Sequence, residues 1–196
     1  MVIDELLTSG DSLRAGMQIA DSINAAKAKL IYQVMEEFEK QLAGVAEKNH
    51  WTREKNSNWY EYKEQADEFF YKWNTTYPGI NYIVNDAQMP DGKQLWFRVE
   101  VEHRLFAGFC VFDPNAESEE GHGDQVDEYD RETEKAVRHY LNISVEDHKD
   151  WWATWWYLPA GEQKPNDSVP NFKIMNDAAI ALADKECRSE FVSLCV

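Results

Sequence analysis

Glu100 and Glu102 stand two residues apart in a run that alternates apolar and polar side chains, so a strand here places both carboxylates on one face. Asp113 closes the next apolar run. Hard divalent cations take clustered carboxylate oxygens, which makes Glu100, Glu102 and Asp113 the candidate metal ligands of the chain. A simpler account is that the glutamates form the solvent side of an amphipathic strand, neutralised by Arg98 and Arg104. Asp124, Asp127, Glu128 and Asp130 suggest a calcium loop, but the Asp-x-Asp-x-Asp-Gly pattern and its closing bidentate Glu are missing. That segment reads as a solvated acidic loop. The five histidines, His50, His103, His122, His139 and His148, occur in no His-x-x-x-His or His-Glu-x-x-His arrangement, and no Cys-x-x-Cys accompanies them.

Cys110 pairs formally with His103 or His139 as nucleophile and base. It sits inside Phe-Ala-Gly-Phe-Cys-Val-Phe, however, where burial raises a thiol pKa and leaves it inert. No phosphate-binding glycine loop, dinucleotide fingerprint or nucleophile elbow is present. No catalytic residue, no cofactor and no confident metal site is therefore predicted. The other concentration of chemistry is aromatic: Trp151, Trp152, Trp155 and Trp156, followed by Tyr157. Such rings stack on bases or sugars and anchor protein interfaces. Nucleic-acid grooves interleave them with Lys and Arg, whereas Asp147, Asp150 and Lys149 flank this cluster. The four tryptophans are expected to serve packing and protein interaction.

Charge narrows the partners. Thirty-six Asp and Glu against 20 Lys and Arg give a net charge of −16. A field of that sign repels phosphate backbones, so direct nucleic-acid binding is not expected. A protein partner with a basic surface, or mimicry of a nucleic acid, is compatible with it. An apolar fraction of 43% over 196 residues suits a single packed domain, 1–196. No apolar run approaches the ~18 residues of a membrane span, and no export signal is read. With Cys110, Cys187 and Cys195 odd in number and unsuited to bridging, the expectation is a cytoplasmic protein away from membranes.

The elements that must position these residues read as an α+β fold. Ala, Lys, Glu, Gln and Leu dominate Ser12 to Glu47, with Ile19, Ile23, Ala26, Leu30, Val34, Phe38, Leu42 and Val45 at steps of three and four. This helix would be on the order of 50 Å long, more than a domain of this size covers. Either it bends near Gly16 or Gly44, or part of it projects as an arm and pairs with a second copy, making a homo-oligomer. Asn49–Asn58 reads as a polar break, Trp59–Asn74 as an aromatic helix, and Ile80–Val84, Leu95–Glu102 and Leu105–Phe112 as strands, the last two a hairpin. Residues 113–127 form the acidic loop. A helix from about Glu128 to Leu141, a strand through the tryptophans and a final helix to about Leu194 complete the chain.

The order of a long Ala/Lys/Glu-rich helix, an aromatic helix and the strand pair Leu95-Trp-Phe-Arg-Val-Glu-Val-Glu102 and Leu105-Phe-Ala-Gly-Phe-Cys-Val-Phe-Asp113 resembles the C-terminal, non-catalytic region of bacterial PD-(D/E)XK nuclease family proteins, over roughly Ser12 to Asp113. The resemblance implies an accessory half beside a nuclease. The magnesium-holding Glu/Asp-x-Lys tripeptide occurs on no expected strand, since Glu134-Lys135 and Asp184-Lys185 are adjacent pairs in expected helices. No catalytic residue carries over. Three functions follow in order: a non-enzymatic interaction or regulatory module, such as the accessory domain of a defence-related nuclease-type protein; an acidic nucleic-acid mimic that inhibits a basic partner; and a metal-dependent enzyme built on Glu100, Glu102 and Asp113.

Overall fold

The computed structural model describes residues 9–55, 61–71, 77–116, 123–143 and 151–196. Helix α1 runs unbroken from Gly10 to Lys48. The Ser9 side chain accepts from the Ser12 amide at 3.0 Å to cap its start, and Asn49 closes it by donating to the Val45 carbonyl through both backbone and side chain. Neither Gly16 nor Gly44 breaks it. Burial starts only at Ala28, after which Leu30, Ile31, Val34, Met35, Phe38, Leu42 and Ala46 form a continuous buried stripe. The residues before Ala28 leave the body as an arm.

The stripe packs on a six-stranded antiparallel sheet. Strand β1 (Trp51–Glu54) pairs with β2 (Gly79–Val84), β2 with β3 (Gln94–Val101) and β3 with β4 (Leu105–Asp113). The outer edge of β4 is divided between β5 (Asp124–Gln125) at one end and β6 (Thr154–Tyr157) at the other. The three expected strands and the hairpin are present, and the tryptophan segment flanks that hairpin. Between them the helical turn α2 (Tyr62–Gln65) and helices α3 (Arg131–Leu141), α4 (Asp177–Ala181) and α5 (Lys185–Cys195) complete an α+β fold. Helix α5 lies on α1 rather than on the sheet, with Phe191 edge-on to Phe38 at 6.5 Å and Gln41 donating to the Ser189 carbonyl at 3.1 Å.

Four expectations need correction. The polar break after α1 contains a strand: His50, at φ 56°, turns the chain so that Trp51 lies on Phe97 with ring centroids 5.1 Å apart. The aromatic helix is one turn followed by further turns to Tyr71, although Tyr62, Ala66 and Phe69 still share a buried face; residues 56–60 and 72–76 lie outside the described residues. The final helix is two, because Asp184 caps a new start through the Glu186 and Cys187 amides. The acidic loop returns to the sheet at β5, where Gln125 is buried and Val126 joins the core edge; residues 117–122 lie outside the described residues.

The largest departure concerns the second face of the sheet. Trp96, Arg98 and Glu100 alternate with the core residues of β3 as anticipated, yet all three are buried, as are Phe106, Cys110 and Phe112 beside them on β4. Trp96 stacks on Phe112 at 4.0 Å, and Trp152 lies over Arg98 at 5.4 Å. Gly108 makes this possible, since a Cβ there would collide with the Thr154 carbonyl oxygen of β6 and stand 2.7 Å from the Trp152 ring and 2.8 Å from Trp155 Cβ. Gly108→Ala is therefore expected to lower stability by about 1–3 kcal/mol through overpacking. Denaturant titration with tryptophan fluorescence reports it, and an unchanged midpoint would show that the β6 backbone and Trp152 yield without cost.

Candidate functional site

The hairpin β3–β4 brings together a polar cluster inside an apolar shell. Register places Asn81, Arg98, Gly108 and Trp155 in one row across four strands, with Glu100 and Cys110 on the neighbouring rows of the same face. Arg98 is wholly inaccessible and Glu100 is 6% exposed; the guanidinium Nη2 donates to Glu100 Oε2 in a close ion pair. Burial pushes the Glu100 carboxyl up to about 7 against the pull of Arg98, with Glu102 adding to the rise. Burial likewise raises the Cys110 thiol. Such a pair holds shape more than it supplies net stability, because desolvation offsets the attraction.

Of the three candidate ligands, Glu100 is thus engaged by Arg98, and Glu102 is exposed just beyond the end of β3. Asp113 pairs in register with Asp124, seven residues along β4 from the position opposite Glu100. That separation is roughly 23 Å at strand rise. The structure does not bring the three together. Among the described residues, no three His, Cys, Asp or Glu groups converge to hold a metal ion.

A second polar network joins α1 to β1. Arg53 Nε donates to Glu39 Oε1 at 3.1 Å and its Nη2 to Glu61 Oε2 at 2.7 Å, while Nη1 reaches the Glu54 carbonyl. Tyr62 donates its hydroxyl to Glu39 Oε2 at 2.9 Å, and Lys63 stands 3.4 Å from the same oxygen. Burial alone would raise the Glu39 carboxyl, but Tyr62, Arg53 and Lys63 hold it below its ordinary 4.5. The Tyr62 hydroxyl is raised by burial and by Glu39. Sequence spacing gave no sign of this network, since its members come from three elements that only the fold assembles. Elsewhere, Asp86, Gln88, Ala136, His139 and Tyr140 line a cleft of about 420 Å³ beside α3, and His50 approaches Asp86 at 3.3 Å.

The four tryptophans do not form one surface. Trp151 is exposed; Trp152 and Trp155 lie on the second sheet face around Phe106; Trp156 packs toward the main core near Phe109. Several large apolar side chains stand exposed on the arm of α1, where Leu13 is 44% exposed, Met17 61%, Ile19 62% and Ile23 49%. Tyr71, 61% exposed, stands beside it with its hydroxyl 3.4 Å from Asp21. Among the described residues no helix is long and apolar enough to cross a membrane.

Compared with models of protein families, with curated proteins and with solved structures, the chain finds no match in any of the three.

The buried pair has a measurable signature. A raised carboxyl pKa favours the folded state below the ordinary 4.5, an advantage lost as pH rises through about 7. Arg98→Met is expected to cost about 3–5 kcal/mol at alkaline pH, where it strands an ionised carboxylate, and less in mild acid, where Glu100 is protonated. Adding Glu100→Leu should recover most of the loss. Denaturant melts of the three proteins at both pH values check this; a pH-independent cost with no recovery would mean that Arg98 acts through packing alone.

Proposed function

We propose that the chain is a non-enzymatic interaction and regulatory module whose docking surface is the projecting half of α1. One observation carries this reading: four large apolar side chains, Leu13, Met17, Ile19 and Ile23, stand exposed on a helix that continues unbroken from the core. Leu13, Met17 and Ile23 continue the sector of the buried stripe, whereas Ile19 turns about 160° away from Met17, so the same amphipathic design that packs residues 28–46 on the sheet offers three of the four to another surface. Docking a helix face into an apolar groove is a common recognition mode, read as anchors three and four residues apart. The order of elements resembles an accessory region beside a nuclease, and a protruding apolar helix supports a role in joining such a half, or its partners, into one assembly. The body beneath it, with its charged groups engaged at Arg98 and Arg53, supports a scaffold function.

Met17→Glu and Ile23→Glu are expected to leave the melting temperature of the body unchanged, since neither side chain reaches the core, while abolishing binding of an apolar fluorescent probe. A fall of several degrees with probe binding intact would place those residues in the fold instead. Purified chain is also expected not to cleave DNA or RNA with magnesium or manganese. Metal-dependent cleavage that disappears in Glu100→Gln, Glu102→Gln would overturn the non-enzymatic reading.

A further inference from the structure

We propose that the cleft between the β2–β3 connection and the last turns of α3 binds a guanidinium group, carried by a small molecule or by an arginine side chain of a protein partner. This site is independent of the arm. Its volume of about 420 Å³ falls in the range of small-ligand sites. Both walls are held in place by polar contacts. At the start of the connection, Asn85 Nδ2 donates to the His50 carbonyl at 2.6 Å and to Thr52 Oγ1 at 2.8 Å. At its far end Lys93 donates to Asp130 at 3.1 Å, and Asp130 caps α3 by accepting from the Thr133 amide at 2.8 Å. Between these anchors Ala87 and Met89 pack against the core, while Asp86 and Gln88, at alternate positions, line the cleft. His139 and Tyr140, three and four residues beyond Ala136, share one face of α3 with it and form the opposite wall. Ala136 adds only a methyl group to that face, which keeps the space open.

Electrostatics select a cation. Asp86 is the carboxylate of the lining, and the carbonyl end of α3 brings the negative pole of the helix to the same place. The neighbouring cations are engaged elsewhere, Lys93 with Asp130 and Asp91 and Arg138 with Glu134 one turn back. Asp86 meets His50 through Oδ2, 3.3 Å from Nδ1, and that imidazole is largely exposed and can turn aside. A net charge of −16 concentrates cations around the molecule, and the walls decide which cation stays. A guanidinium is planar, pairs with a carboxylate through two parallel donors and stacks on aromatic faces. An ammonium is a compact, strongly hydrated point charge that gains less from such walls. Here Asp86 supplies the carboxylate, Gln88 a carbonyl oxygen for a third donor, and His139 and Tyr140 the rings.

The test titrates the intact chain with methylguanidinium chloride, followed by nuclear magnetic resonance at constant ionic strength, with methylammonium chloride as the reference. Methylguanidinium is expected to shift the Gln88, His139 and Tyr140 resonances saturably, and methylammonium to bind several-fold more weakly. Asp86→Asn should weaken binding by about tenfold or more, through loss of a charge-assisted hydrogen bond. Ala136→Leu, which keeps a strong helix former, should fill the cleft and abolish binding. Where Ala136→Leu lowers the melting temperature, Asp86→Asn decides alone, since Asp86 is exposed. Asp167→Asn removes the same charge outside the lining and should change nothing. A blocked Gly-Arg-Gly tripeptide distinguishes the sources: tighter binding than methylguanidinium assigns the group to a protein partner, and equal or weaker binding to a small molecule. Shifts that never saturate, equal affinity for methylammonium, or a loss in Asp167→Asn as large as in Asp86→Asn overturns the inference.

Discussion

Both faces of one hairpin are removed from water, and most of the molecule follows from that constraint. A two-stranded hairpin gains little stability by itself, so β3 and β4 need cover above and below. On one side Leu95, Phe97, Val99, Leu105, Ala107 and Val111 join the same core as the α1 stripe from Leu30 to Ala46. On the other the cover includes Trp152 and Trp155, which descend where Gly108 leaves room for them. Burial of the second face draws Arg98 and Glu100 inside together. Separately each would carry a prohibitive desolvation cost; as neighbours on one strand face they satisfy one another and fix the register in which the covering residues settle.

The same logic explains where the arm begins. Helix α1 crosses the sheet, and the last residues it can bury are set by the width of the strands beneath it. Arg53 anchors the crossing: its donors reach Glu39 on the helix, Glu61 before α2 and the Glu54 carbonyl on its own strand. Tyr62 adds a hydroxyl to the same Glu39 carboxylate from the other side. The helix is clamped at Glu39 and packed by α5 around Phe38 and Gln41, while nearer its start the described contacts thin to Phe70 at Lys27 and Tyr71 at Asp21.

Elements with a strong single period were legible in the sequence. The helix from Ser12 to Glu47, the strands at Ile80, Leu95 and Leu105 and the flanking strand of the tryptophan segment all stand where the pattern put them, within a few residues. The strand at Trp51 was hidden because four residues carry too little alternation to register, and because its stability comes from Phe97 and Glu39, distant in sequence. The second sheet face was misjudged for a related reason. Alternation of Trp96, Arg98, Glu100 and Glu102 against apolar partners signals a polar face, but polarity alone does not say whether another segment will cover it. Gly108 was the available clue, a residue without a side chain opposite a buried arginine. The wide separation of Asp113 from Glu100, by contrast, was within reach, since a tight hairpin turning at His103-Arg104 puts Glu100 beside the turn and Asp113 at the far end of β4.

Acidity and the apolar arm act together in this architecture. A chain with exposed Leu13, Met17, Ile19 and Ile23 and little net charge would associate through any apolar surface it met. Net charge of −16 spread over the rest of the molecule raises the free energy of nearly every accidental encounter between copies, and salt screens that protection only beyond about 8–10 Å. The arm extends further than that from the acidic body, because residues 10–27 span roughly 27 Å of helix. Repulsion therefore guards the body while the tip of the arm remains approachable. Selectivity of this kind requires no cleft and no catalytic group. It requires a helix that runs on beyond its buried stripe and a charge density that thins along it, and between Gly10 and Lys29 two acids stand against three cations.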